Sequence, residues 1–203
     1  MIGYASRTGT KRNLEALKSA GWGLMVSARG RLRTEGFARY ALDNGAWTSY
    51  RRGEPFDAIA FTKAVEWLGP LAQFVVAPDV IAGGQVSLSL SRSWLLPLLD
   101  CCQRVLIPVQ DGLEPADLAP LASERVGIFV GGTTRWKIEN LILWGRFASE
   151  FGCYLHVGRV NTARRIRLCG LAGANSFDGS SASRFALTLP LLDAARRQTS
   201  FVL

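Results

Sequence analysis

Five apolar, strand-like runs each end on a residue able to do chemistry. They are Asp43 in ALDNGA (41–46), Asp79 in FVVAPDV (74–80), Gln110 in VLIPVQDG (105–112), Gly131 and Gly132 in VGIFVGG (126–132), and Asp178 in NSFDGSS (175–181). Asp43 and Asp178, facing one another, suit displacement at a sugar carbon: one carboxylate attacks the anomeric centre and the other moves a proton on the leaving or entering base. Asp79, an acceptor when ionised, and Gln110, both donor and acceptor, suit the edge of a guanine-like heterocycle. Bare backbone at Gly131 and Gly132 offers N–H groups to a base carbonyl or, equally, to a phosphate. Each strand-end aspartate has a plainer alternative as the N-cap of the next helix. Asp111, beside Gln110, reads with Gly112 as turn chemistry.

These residues converge only if the strands that carry them are parallel and close on themselves. Eight strand-like runs occur: 2–6, 23–28, 39–44, 74–79, 104–109, 126–131, 153–158 and 175–179. Helix-like stretches alternate with them, such as 10–20, where Leu14, Leu17 and Ala20 recur at helical spacing, and 56–68. Eight β/α units form a compact (β/α)8 TIM barrel, and such a barrel gathers the C-terminal ends of its strands at one mouth. An open doubly wound sheet would use two or three loops at one switch point, fewer than the five strand ends marked here. The expectation is a single barrel domain over residues 1–203, below the ~250 residues typical of the fold.

Finer expectations follow from local signals. Pro97 should split the helical stretch 87–101 into two pieces. Residues 45–55 and 79–86, each with glycines, read as loops over the mouth. Thr162, or Asn161 before it, is an N-cap candidate for 162–171, and Ser183 for a final helix through about 197. His156, the one histidine, reads equally as a pocket residue or a buried structural one, and Trp47 and Trp136 as base-stacking or packing residues.

The charge balance adds a partner. Lys and Arg number 24 against 16 Asp and Glu, a formal +8, and the basic clusters fall mostly just after strand ends, where a rim would track a polyanion's phosphates. Arg51, Arg52, Arg135, Lys137, Arg164 and Arg184 are the candidate nucleic-acid contacts. Solvated surface charge is the alternative for any one of them. The four cysteines, Cys101, Cys102, Cys153 and Cys169, contain no CxxC pair, so no zinc site or disulfide framework is indicated. Without an apolar signal core near the start or a run of about 18 apolar residues, the expectation is a cytoplasmic protein with no membrane partner.

In order, these segments resemble the tRNA-guanine transglycosylase superfamily, whose barrels exchange guanine in a polynucleotide for a 7-deazaguanine. The matching segments are Asp43-Asn44-Gly45-Ala46-Trp47, Pro78-Asp79, Val109-Gln110-Asp111-Gly112, Gly131-Gly132-Thr133 and Ser176-Phe177-Asp178, covering about residues 40–185. The resemblance implies Asp178 as nucleophile, Asp43 as general acid/base, and Asp79, Gln110, Gly131 and Gly132 as the base-recognition set, with no cofactor. The family's zinc-binding cluster of three cysteines and a histidine is absent and the chain is little more than half the usual length. In this it is similar to the short, zinc-free branch of bacteriophages and modification islands, which inserts 7-deazaguanine derivatives such as preQ0 into DNA. The implied partners are therefore DNA, with tRNA as the alternative, and a 7-deazaguanine base. A sugar-phosphate barrel enzyme using Gly131-Gly132 as its phosphate turn, and a non-catalytic nucleic-acid-binding barrel, are the rival readings.

Overall fold

In the computed structural model, which describes residues 1–6, 10–184 and 186–198, the strands close into an all-parallel barrel in sequence order. The strands are β1 (Ile2–Ser6), β2 (Gly23–Ser27), β3 (Tyr40–Asp43), β4 (Val75–Val76), β5 (Val105–Val109), β6 (Val126–Val130), β7 (Leu155–Val157) and β8 (Ser176–Gly179). Closure comes from β8 pairing with β1, with Tyr4 opposite Asp178. Between the strands run α1 (Lys11–Ser19), α2 (Ala46–Arg51), α3 (Ala58–Leu68), α4 (Gln85–Cys101), α5 (Pro115–Leu118), α6 (Thr134–Glu150) and α7 (Ala163–Leu171), and α8 (Ser181–Arg184) and α9 (Leu189–Arg197) follow β8. The (β/α)8 barrel is the fold expected from the alternation of runs.

Period-two alternation divides each strand between two cores. Residues such as Leu24, Val26, Leu42, Val105, Ile107, Val109, Ile128, Val130, Leu155 and Phe177 face outward and join the helices in the larger core. Tyr4, Met25, Ala41, Phe74, Val76 and Leu106 fill the barrel itself, with Phe129 and Tyr154 against them. A barrel this small has room for large side chains on some strands only where others contribute none. A Cβ at Gly23 would lie 2.6 Å from the Tyr4 ring, and one at Gly158 would lie 2.6 Å from the Phe129 ring. The inward parity that places Ala41 in the barrel also places Asp43 there, two residues on. Tyr154 and His156 stand in the same relation, as do Ser176 and Asp178.

Three local expectations are corrected. Residues 85–101 form one helix with Pro97 inside it, not two pieces. Its buried face of Leu88, Leu95 and Leu98 stabilises it by about 1.5–3 kcal/mol per side chain, more in sum than the ~3 kcal/mol cost of an internal proline. Part of 45–55 is helical: Gly45, at φ 81, allows the chain to turn into α2. Ser183 is buried inside α8, its hydroxyl donating to the Ser180 carbonyl, and the last helix begins at Leu189. Thr162 caps α7 as expected, accepting from the Arg165 N–H.

Candidate active site at the barrel mouth

Asp43 ends β3, and its Oδ2 accepts from the Gly45 N–H at 3.1 Å. Its backbone carbonyl accepts from Ala28 N–H at 2.9 Å, fixing the strand end to the residue that follows β2. Burial, and then the negative charge of Asp178, push its carboxyl up from 3.8 to about 7; Asp79 adds in the same direction and the Gly45 bond opposes them. Asp43 therefore holds its proton near neutral pH and can release it, as a general acid/base requires.

Asp79 lies just past β4. Its Oδ1 accepts from Asn44 Nδ2 at 2.9 Å, and the same amide nitrogen donates to the Ala77 carbonyl at 2.6 Å. Burial raises the Asp79 carboxyl to about 6, with the Asn44 bond opposing. Asn44, which also accepts from Ala46 N–H, thus ties the ends of β3 and β4 together. The LDNGA segment carries this linkage, but sequence alone gave Asn44 no role of its own.

Asp178 is held from β7. His156 Nε2 lies 3.1 Å from Asp178 Oδ1, and His156 Nδ1 lies 2.7 Å from Ser176 Oγ. His156 is fully buried, stacked on Phe129 at 4.9 Å and walled by Phe74 and Tyr4. Burial lowers its pKa, so the ring is neutral and carries one N–H. With Asp178 ionised, that hydrogen sits on Nε2 and Ser176 donates to Nδ1. Both ring nitrogens are then occupied, so His156 orients Asp178 and does not meet a substrate. The Arg159 N–H also reaches Asp178 Oδ1, at 3.3 Å. Both bonds fall on Oδ1, which leaves Oδ2 without a donor among the described residues.

Arg159, which opens the basic stretch RVNTARRIR (159–167), is a residue at the mouth with no role of its own legible in the sequence. It has a positive φ of 56, which turns its N–H toward Asp178. Its guanidinium donates to the Gly132 carbonyl at 2.8 Å and lies 4.7 Å from the centre of the Trp47 ring. It therefore spans the mouth from the end of β7 to the first turn of α2. Trp47, half exposed and stacked on Tyr50 at 5.7 Å, is at the mouth, whereas Trp136 packs against the core. Only the covering of Trp47 by a cation requires the three-dimensional fold to be seen.

Other expected residues have duties of their own. The Gln110 amide is buried and clamps the loop after β4: its Oε1 accepts from Ala82 N–H and its Nε2 donates to the Val80 carbonyl, each at 2.8 Å. Gly131 N–H donates to the Val109 carbonyl at 2.8 Å, so of the two glycine amides only that of Gly132 is without a partner among the described residues. At Gly132, with φ 73, a Cβ would meet Asp111 Oδ2 at 2.5 Å. Asp111 accepts from both the N–H and hydroxyl of Thr133, at 2.7 Å each, fastening the start of α6. Its turn reading is extended: it is the brace under the Gly132 turn.

Of the basic set, Arg51, Arg52, Arg164 and Arg184 are exposed, and Arg135 is exposed but paired with Glu139 at 2.8 Å. Lys137 is a correction. It is buried, its Nζ donates to the Gly158 carbonyl, and burial lowers its pKa to about 8. The first turn of α6 directs it to the segment after β7, where its ammonium is taken up by a backbone carbonyl and not presented to solvent.

Among the described residues no group of three or more His, Cys, Asp or Glu is arranged to hold a metal ion, and no helix is long and apolar enough to cross a membrane. A search of protein-family models and of curated proteins finds no match to this chain.

Proposed function

We propose that the protein is a base-exchange glycosyltransferase that replaces a guanine in DNA by a 7-deazaguanine of the preQ0 type. The observation that carries this reading is the pairing of two unlike carboxylates in one mouth: Asp43, held up to about 7, and Asp178, oriented by two donors on a single oxygen. Their difference suits an acid and a nucleophile.

In the first half-reaction Asp178 Oδ2 attacks C1′ as the bond from C1′ to the guanine ring nitrogen breaks. The proton on Asp43 passes to that departing nitrogen, so the base leaves neutral. The deazaguanine then enters, and its ring N–H gives a proton to Asp43 as the nitrogen attacks C1′. The Asp178 ester bond breaks and both carboxyls return to their starting states. Two displacements keep the strand intact and preserve the configuration at C1′. His156 and the Arg159 N–H stabilise the carboxylate that is regenerated.

Asp79 accepts from the heterocycle's ring N–H and exocyclic amine. The Gly132 N–H supplies a donor for the base carbonyl, and Gln110 keeps the loop behind Asp79 in place. Trp47 forms a stacking wall once Arg159 moves off its face. The choice of DNA rests on the resemblance to the short, zinc-free branch. Nucleosides from the DNA and tRNA of cells expressing the chain with a preQ0 supply test it by mass spectrometry. Deazaguanine in DNA supports the reading, deazaguanine in tRNA alone moves the substrate to RNA, and neither modification rejects base exchange.

A further inference from the structure

Beside the mouth lies an open cleft of about 570 Å³ between the β2–β3 connection and the outer face of α3. Arg31, Leu32 and Arg33 line one wall, Lys63 and Trp67 the other, and no carboxylate lines it. Lys63 and Trp67 share a stripe with Ala60, at i, i+3 and i+7, running ~10 Å along the helix. Trp67 is 67% exposed, with its ring presented to solvent at the cleft edge. Of the nearby acids, Glu54 and Asp57 are both paired with Arg29. No ion pair joins Arg31, Arg33 or Lys63 to another described residue. At its upper end the cleft includes Ala28, whose N–H is bonded to the Asp43 carbonyl.

We infer that this cleft binds a single strand of nucleic acid flanking the nucleotide in the mouth, with Arg31, Arg33 and Lys63 on successive phosphates and one base stacked on Trp67. Three cations without an ion pair among the described residues, in a groove whose described lining holds no acid, complement a polyanion, and an exposed indole among them matches the base faces that a single strand presents. A folded acidic protein surface would match the charge but would give the ring nothing flat to stack on. A nucleotide extruded from a duplex leaves neighbours unstacked, and the Ala28–Asp43 bond fixes the cleft beside the pocket where that nucleotide sits. The inference rests on the polynucleotide part of the proposed function but not on the exchange reaction.

The test uses the full chain carrying Asp178→Asn, so that binding is read without turnover, and a fluorescently labelled thymidine oligonucleotide followed by anisotropy across a salt series. Substituting Arg31, Arg33 and Lys63 together by Ala should weaken binding at least tenfold and lower the slope of log affinity against log salt by about 2, as three single-strand phosphate contacts require. Trp67→Ala should weaken binding by about tenfold at every salt concentration and leave that slope unchanged. Circular dichroism melting checks that each variant is folded. Affinity and slope equal to the parent's in folded variants overturn the cleft assignment. So does binding to vesicles containing phosphatidylserine with none to the oligonucleotide. Strand binding with this signature in a wild-type protein that exchanges no base upholds the cleft and removes the transglycosylase reading.

Discussion

His156 shows what a single side chain can do without touching a substrate. Its Nε2 bond fixes one oxygen of Asp178, and its Nδ1 partner, Ser176, fixes the ring. His156→Leu removes a hydrogen bond to a charged group, worth about 1.5–3 kcal/mol, so kcat for exchange should fall about 10- to 100-fold with base affinity little changed. His156→Gln, which keeps a donor, should recover part of the loss. An unchanged kcat for the Leu variant in single-turnover kinetics would show that Asp178 needs no such support. Asp43 and Asp79 interact, and removing one negative charge lowers the pKa of the other carboxyl. The alkaline limb of kcat/KM, set near 7 by loss of the Asp43 proton, should therefore shift to lower pH in Asp79→Asn. A limb that stays in place would assign it to another group.

The elements that hold these residues were partly legible in the sequence. Strand positions were, because Val, Ile and Leu runs ending on Asp, Gln or Gly carry both the burial and its interruption. The inward parity of Asp43 and Asp178 follows from the same alternation. Lys137 was not legible: a basic residue three positions into a helix looks exposed in sequence, and only the packing of α6 against β7 buries it. Nor was Gln110's attachment to residues 80–82, since nothing local records a bond between the ends of two different strands. That attachment gives an expected outcome at this scale. Gln110→Ala leaves the Ala82 N–H unmet and removes one of the two donors on the Val80 carbonyl, which keeps the Gly83 N–H, so the loop after β4 should loosen. Hydrogen exchange at Ala82 should accelerate and KM for the incoming base should rise, with kcat affected less. Unaltered protection at Ala82 would show that the loop is held by other contacts.

For the molecule as a whole, the mouth is a region where stability is given up for function. Asp43 and Asp79 have folded-state pKa values of about 7 and about 6 against 3.8, so between pH 4 and 7 the native state retains protons that the unfolded chain has released. Stability from this source is full below about pH 4, falls as pH rises through that window and is level above it. Asp43→Asn removes much of the fall, by at most about 4 kcal/mol at one unit per ~1.4 kcal/mol. The variant should melt higher than the parent at pH 8 and at nearly the same temperature at pH 4 while losing exchange. A lower melting temperature at pH 8 would mean that the Asp43 carboxylate stabilises the fold.

The proposed base exchange in a polynucleotide depends on Asp178 and Asp43 acting together. Its most direct measurement is the transfer of radiolabelled guanine into a DNA oligonucleotide by the purified protein, with its Asp178→Asn and Asp43→Ala variants alongside. Label should appear in intact oligonucleotide with the parent protein, not at all with Asp178→Asn, and at a rate at least a hundredfold lower with Asp43→Ala. Incorporation by Asp178→Asn at the parent rate would contradict this dependence.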